Sequence, residues 1–343
     1  MIVLYILIAI LVFGFMILVH ELGHFLFAKK FGVAITEFSI GMGPKIFSKM
    51  GKDGVAYSLR ALPIGGFVAM VGEEEDSENP NAFNKKPAWQ RFIVIAAGAL
   101  TNILIGIIIM SCLTVSQPRY GTTVIGEFLD KATSNSSGLM IGDEIKKINN
   151  TSVHTANELS YEIMRSGDKP VRVTIVRDGN TITLDNVNFP KVSSQGVTFG
   201  SMDFKVYGEN RTFSTFVKNS FYSCKSTVKM IWDSLFDLVS GRYGIDQVSG
   251  PIGVTGAITQ AAKSGAYSLF YLIVVISMNL GIFNLLPIPA LDGGSLLFLI
   301  IEMIFRKPIP RKIENNLRTA GFMLLMALVV FISCKDVVFL FKK

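Results

Sequence analysis

The sequence predicts a polytopic α-helical membrane protein of about four transmembrane helices, with a membrane-associated β-hairpin region and one soluble domain outside the cytoplasm. Three observations predict it. Half of the 343 residues are apolar and only 17% are charged, a membrane-protein composition. Four apolar stretches, residues 1–28, 92–115, 268–305 and 320–341, approach or exceed the ~20 residues needed to cross a bilayer. Between the second and third lies a long, mostly polar connection with alternating strand patterns.

The first helix is expected over residues 1–30. A signal peptide is the rival reading, but no basic residue precedes the apolar run and no small-residue cleavage site follows before His20 and Glu21, so the segment is expected to stay in the mature protein. Residues 31–90 are expected to form a β-hairpin or membrane-associated loop on the cytosolic side, because "VAYSLRALPIGGFVAMVG" follows the turn signal "GKDG" at 51–54. Its "PIGGFVAM" part is apolar enough to dip into the bilayer, and a plain cytosolic hairpin packed on the helices is the alternative. The second helix follows at 91–116, the soluble domain at 117–205, and an amphipathic helix with its connection at 206–267. In that helix Phe213, Phe216, Val217, Phe221, Cys224, Val228, Ile231, Leu235 and Val239 recur at three- and four-residue steps. Such a face either packs on the soluble domain or lies at the membrane interface guarding substrate entry, and the second fits the setting better. A third, interrupted segment at 268–306 and a fourth helix at 319–341 complete the chain.

Lys and Arg near the spans set the orientation. The 29–91 connection carries nine of them, and Arg306, Lys307, Arg311, Lys312 and Arg318 cluster in the last connection. Both connections belong in the cytosol, and the soluble domain and both termini outside. The net charge of +7 follows from this bias, so no nucleic-acid partner is inferred. Cys112, Cys224 and Cys334 are scattered and lack metal spacing.

The first helix carries "HELGH" at 20–24, an H-E-x-x-H pattern. Residues four apart share a helical face, so His20 and His24 can reach one metal with Glu21 beside it. Burial argues against an accidental pair, since ionisable groups are costly at membrane depth. Lys29 lies five residues beyond His24, which places the metal roughly 8 Å inside the cytosolic face.

A catalytic zinc needs a third protein ligand and an open position for water. His154, the one remaining histidine, falls in the soluble domain, so a carboxylate is expected. Asp292 and Glu302 are the acidic residues of the third segment. Asp292 is favoured, because it sits in "NLLPIPALDGG" at 284–294, where prolines break the helix and glycines free the backbone. Irregular backbone at that depth must be buried in protein or line a wet cavity. Glu302 can snorkel or pair with Arg306. Fourteen residues separate Asp292 from Arg306, ~21 Å if helical, so the segment after Gly294 must tilt, bend or extend into the cytosol.

With HELGH near one end and NLLPIPALDGG near the other, the chain resembles the site-2 proteases, specifically the RseP-type intramembrane zinc metalloproteases of bacteria. The resemblance implies Zn2+ held by His20, His24 and Asp292, Glu21 as general base, and Asn284 holding the substrate or the developing oxyanion. "VSGPIGV" at 248–254, "FSIGMGPKIF" at 38–47 and "FNKKPAWQRFIVIAAGALTN" at 83–102 resemble further family stretches, with Ala99 where many members have proline. It also implies a membrane-associated β-hairpin or loop, in which Pro63, Ile64, Gly65, Gly66 and Phe67 would bind substrate along a strand edge. "SSGLMIGDEIKKINNTSV" at 136–153 resembles the signature of PDZ domains, with Asn150 in place of the usual final glycine. "QGVTFG" resembles their carboxylate-binding loop, giving Gln195, Gly196 and Val197 as candidate ligand-binding residues. A single such domain captures a C-terminal carboxylate or excludes substrates with bulky external domains; the sequence leaves both open.

The function expected from these readings is intramembrane cleavage of single-pass membrane proteins within or near their membrane segment: regulated intramembrane proteolysis of anti-sigma factors or remnant signal peptides, in contact with the lipid bilayer. A catalytically silent membrane adaptor presenting its PDZ-like domain is the alternative, and predicts loss of at least one of His20, Glu21, His24 and Asp292; all are present. A metal transporter would need ionisable groups along successive spans, and the second and fourth spans offer little beyond Asn102.

Overall fold

The computed structural model describes every residue except Met1, Glu74, Gln195, Gly196, Tyr243, Ile245, Asp246, Gln247, Lys342 and Lys343. The chain divides into two compact units, residues 1–109 with 244–343, and residues 110–243.

The first unit begins with α1 (Ile2–Lys30), followed by the long strands β1 (Ile35–Met50) and β2 (Ala56–Met70) and by α2 (Ala88–Ser116), which runs on into the second unit. After the second unit come α5 (Pro251–Ser264), α6 (Ala266–Leu285), α7 (Asp292–Phe305) and α8 (Arg311–Phe341). Four helices are long and apolar enough to cross a membrane: Leu4–Lys30, Ala88–Ser116, Ala266–Leu285 and Arg311–Val338. The long third segment is therefore one span plus a half-helix. The break covers 286–291, where Pro287 and Pro289 remove backbone donors and the chain turns through bonds from Ile288 N to Leu286 O (2.7 Å) and Leu291 N to Ile288 O (3.0 Å). Gly293 and Gly294 have no alternative there, because a Cβ on either would collide with the carbonyls of Leu286 and Ile288. At 14 residues, α7 is ~21 Å long and cannot span a bilayer. Glu302 near its end pairs with Arg91 at the start of α2, not with Arg306 as the sequence suggested. This tie joins the end of α7 to the start of α2.

The two long strands form more than a simple hairpin. Residues 45–50 pair with 56–60 across the Gly51–Gly54 turn, while 37–40 have partners on both sides, 56–59 and 66–69. The segments therefore lie in the order 45–50, 56–60, 35–40, 66–70, with 66–70 at an edge. Phe25 and Ala28 of α1 pack with Val33, Phe38, Val68 and Met70 and with Val94 and Ile95 of α2, which holds the sheet against the helix that carries HELGH. The "VSGPIGV" stretch starts α5 at Pro251, a favourable first position. The buried Asp336 carboxylate of α8 accepts from the N–H groups of Gly250 (2.9 Å) and Gly253 (3.0 Å), satisfying donors that a helix start leaves free.

The second unit holds β3 (Tyr120–Phe128), β4 (Glu144–Ile148), β5 (Thr151–Ser152), α3 (Ala156–Ser166), β6 (Val171–Arg177), β7 (Asn180–Val187), β8 (Lys191–Ser194), β9 (Val197–Gly200), β10 (Phe204–Glu209) and α4 (Phe213–Val239). The main sheet has the order β10-β3-β4-β6-β7, with β5 on β4, and β8 pairs with β9. Ile125, Ile145, Leu159, Ile163, Val173 and Ile175 fill its core. The buried Asp143 of the "GLMIGD" stretch accepts two 2.7 Å bonds from Arg177, whose guanidinium also donates to Gly138 O.

Here α4 departs from one expectation. The face it packs on α3 is polar: Tyr161 Oη donates to Asp233 (3.0 Å), Arg165 pairs with Asp233 and Asp237, and Lys229 pairs with Glu162 (2.8 Å). Of the predicted apolar stripe, Phe213, Val217, Phe221 and Val239 are exposed, Ile231 is buried and the rest are half-buried, with exposed Trp232 and Phe236 alongside. The stripe therefore packs only in part within this unit. Burial pushes the Cys224 thiol up to about 11, so the thiol is protonated and unreactive at neutral pH.

Candidate metal centre and catalytic site

Three side chains from two distant parts of the sequence meet in the first unit. His20 Nε2 lies 3.0 Å from Asp292 Oδ2, His24 Nε2 lies 3.3 Å from the same oxygen, and the two Nε2 atoms are 3.1 Å apart. Helical spacing on α1 aligns the imidazoles, and the turn before α7 delivers the carboxylate at the first residue of that helix.

Chemistry at these atoms identifies what they can hold. His24 Nδ1 is 2.9 Å from the Val94 carbonyl; that oxygen only accepts, so Nδ1 carries the proton and, in the neutral ring, Nε2 presents a lone pair. Asp292 Oδ2 is buried without a hydrogen-bond partner. Lone pairs converging at such distances repel unless a cation lies among them. A tetrahedral zinc with bonds of ~2.0–2.2 Å sets its ligand atoms about 3.3–3.6 Å apart, a few tenths of an ångström wider than the observed triangle. The group is the one His/Asp cluster with metal-binding geometry among the described residues. His20 Nδ1 faces the fully buried Asn102 amide of α2, 3.5 Å from Nδ2, while Asn102 Oδ1 has no partner.

Gly98 of α2 makes this arrangement possible. A Cβ there would overlap His24 Nε2 and stand 2.9 Å from His20 Cε1. Gly23 plays the reciprocal part on α1, where a Cβ would strike the Ala97 carbonyl. Ala99, fully buried, continues α2 without a break. The sequence signals for Gly98 and Asn102 were a glycine amid small residues and an amide within an apolar helix; neither, taken alone, points to a metal site.

Glu21, His20, His24 and Asp292 line a cavity of about 780 Å³, together with residues 67–73 of β2 and its exit, Glu75, Asp76, Ser77, Ile95 and Arg318. Of the candidate substrate-binding residues, Phe67 lines this cavity. Gly66 is buried beside Glu21, its Cβ position 3.4 Å from Glu21 Cγ, and Gly65 takes a φ of +92° that favours glycine. Pro63 and Ile64 lie in β2, with side chains outside the described residues. Asn284 is buried near the end of α6 and is not among the cavity-lining residues. Gln195 and Gly196 lie outside the described residues, and Val197 opens β9 in the second unit.

Helices long and apolar enough to cross a membrane around two buried histidines and a half-buried aspartate, with a glutamate beside them, define the class of an integral-membrane metallopeptidase. The chain belongs to peptidase family M50, whose model matches residues 8–328. It is 37% identical to a provisionally named zinc metalloprotease of Clostridium perfringens over 98% of this chain and 99% of that protein. It is 31% identical to the zinc metalloprotease RasP of Bacillus licheniformis, over 97% of this chain and 98% of the relative. Identity to the regulator of sigma-W protease RasP of Bacillus subtilis is 30%, over 97% and 98% respectively. The protein is a membrane-embedded zinc metalloprotease.

Proposed function

We propose that this protease hydrolyses peptide bonds within or near the membrane segments of single-pass membrane proteins, with zinc held by His20, His24 and Asp292 and with Glu21 as general base. The observation that carries the reading is the triangle of acceptor atoms 3.0–3.3 Å apart, placed in one cavity with Glu21. When bound there, zinc supplies a Lewis acid for the scissile carbonyl and lowers the pKa of its water to about 7. Glu21 takes the proton from the attacking water and returns it to the leaving amine. Val94 O fixes the His24 tautomer, and Asn102, with its amide turned so that Oδ1 accepts from His20 Nδ1, does the same for His20. Asn284 would steady the substrate or the oxyanion from the end of α6, once substrate brings the two together.

A helical substrate hides its carbonyls, so it must be held extended. The edge segment 66–70 borders the cavity and supports strand addition: Val71 N bonds to Ala34 O on the inner side, so by the alternation of a strand the N–H groups of Val68 and Met70 face outward, that of Val68 towards the Glu21 carboxylate. Positive flanks support an orientation with the 29–91 connection in the cytosol and the PDZ-like 117–205 region outside. In that region Gly200 of β9 packs against the Ile163 carbonyl of α3, and capture of a C-terminal carboxylate and exclusion of bulky substrates are the two roles open to it. The Bacillus subtilis relative's name, regulator of sigma-W protease, supports an anti-sigma factor as the substrate class, with remnant signal peptides as the second.

The test is zinc content together with cleavage of a single-span substrate in detergent. Replacing His20, His24 or Asp292 by Ala is expected to remove both zinc and cleavage. Zinc retained at one per chain in any of these variants would displace that residue from the ligand set.

A further inference from the structure

Arg318 is the one lysine or arginine among the residues described as lining the cavity, and the reading above gives it no role. It projects from α8 into the cavity that holds Glu21 and Asp292, and also lines a second, adjoining cavity with Asp292, Pro289 and Ala290. α8 is held beside that turn, since a Cβ on Gly321 would stand 3.1 Å from Ala290 N. One arm of the guanidinium is occupied, with Nη2 donating to Glu314 Oε1 at 2.6 Å. The Nε donor is buried and has no partner. The side chain as a whole is part-exposed, at 38%, so the guanidinium is open to the cavity while its buried Nε donor costs free energy until a partner completes it.

We propose that Arg318 binds a backbone carbonyl of the extended substrate. A strand added along 66–70 pairs only one of its edges with β2; the carbonyls on its other edge point away from the sheet, into a site where water is scarce. The guanidinium is the fitting donor, because it is always charged and offers five N–H groups in a fixed fork. The inference rests on the strand-addition reading above and extends it by giving the substrate a second wall. Arg318 is then a substrate-binding residue and not a metal-positioning one.

The experiment compares wild type, Arg318→Gln and Arg318→Lys in detergent. The substrate is a synthetic single-span protein with one apolar segment of ~20 residues and short tails; steady-state kinetics, zinc content and thermal midpoint are measured. The expected result for Arg318→Gln is a KM raised about 10- to 100-fold, the worth of a charge-assisted hydrogen bond, with kcat nearly unchanged and zinc and midpoint as in wild type. Arg318→Lys should recover part of the loss. A KM within twofold of wild type overturns the proposal, as does loss of zinc in Arg318→Gln, which would make the residue a support of Asp292. No cleavage by zinc-loaded wild type would overturn the single-span substrate reading, and this inference with it.

Discussion

At Asp292 Oδ2 two imidazole nitrogens and a carboxylate oxygen converge within 3.0–3.3 Å, and that one cluster carries the chemical reading of the molecule. The packing around it is as specific as the ligands. Gly98 leaves room for both rings, so Gly98→Ala is expected to weaken zinc retention by at least roughly 10- to 100-fold, as displaced supporting groups do. The check is the rate of zinc loss to a chelator, with loss of cleavage in parallel. Zinc retention equal to wild type would mean that α2 can move away from α1 at no cost. HELGH was fully legible in the sequence because both histidines lie four apart on one helix. Asp292 was legible by its breakers, and the exclusion of Glu302 followed only once Arg91 was seen to claim it. Gly98 and Arg318 were not legible, because Gly98 acts through contacts with His20 and His24 more than 70 residues away and Arg318 through a cavity whose other walls come from α1 and β2, and nothing in their own neighbourhoods records such partners.

Among elements, the β1–β2 region shows how far pattern reading goes. Its strand character and its "GKDG" turn were readable from alternation and glycine. The doubling of each strand was not, since it depends on 37–40 pairing on both sides. If substrate adds to the 66–70 edge, single cysteines at Phe67 and Ala69 in a Glu21→Gln background with Cys112, Cys224 and Cys334 replaced should cross-link to cysteines in the bound substrate. A cysteine at Val68, whose side chain is in the core, should not. Equal cross-linking at all three positions would contradict a strand. The amphipathic pattern of α4 was correctly read as a helix, but periodicity does not say which face packs. The ion pairs to α3 decide that, and they leave Trp232 on the exposed stripe. In a Trp89→Phe protein reconstituted in bilayers, Trp232 fluorescence is expected to be quenched by lipids brominated on the acyl chains. Unquenched emission, with quenching only by a water-soluble agent, would place the stripe away from the membrane.

For the whole molecule, the division of labour follows from solvent. The irregular backbone of the first unit at 289–291 is half-buried and lines a cavity with residues of α7 and α8, which lets a half-helix present a carboxylate inside a membrane protein. The second unit has its own apolar core and polar seam, the construction of a soluble domain. Composition made the four spans readable in advance, and the prolines made the interruption of the third segment readable too; where its helix ends, at Leu285, needed the structure. The most direct test of the central claim compares wild type with Glu21→Gln, measuring bound zinc and cleavage of a single-span substrate in the same preparations. The account predicts one zinc per chain in both and cleavage lowered by a factor on the order of 10² to 10⁴ in the variant, the contribution of a general base. Cleavage by Glu21→Gln at the wild-type rate, with zinc in place, would contradict it.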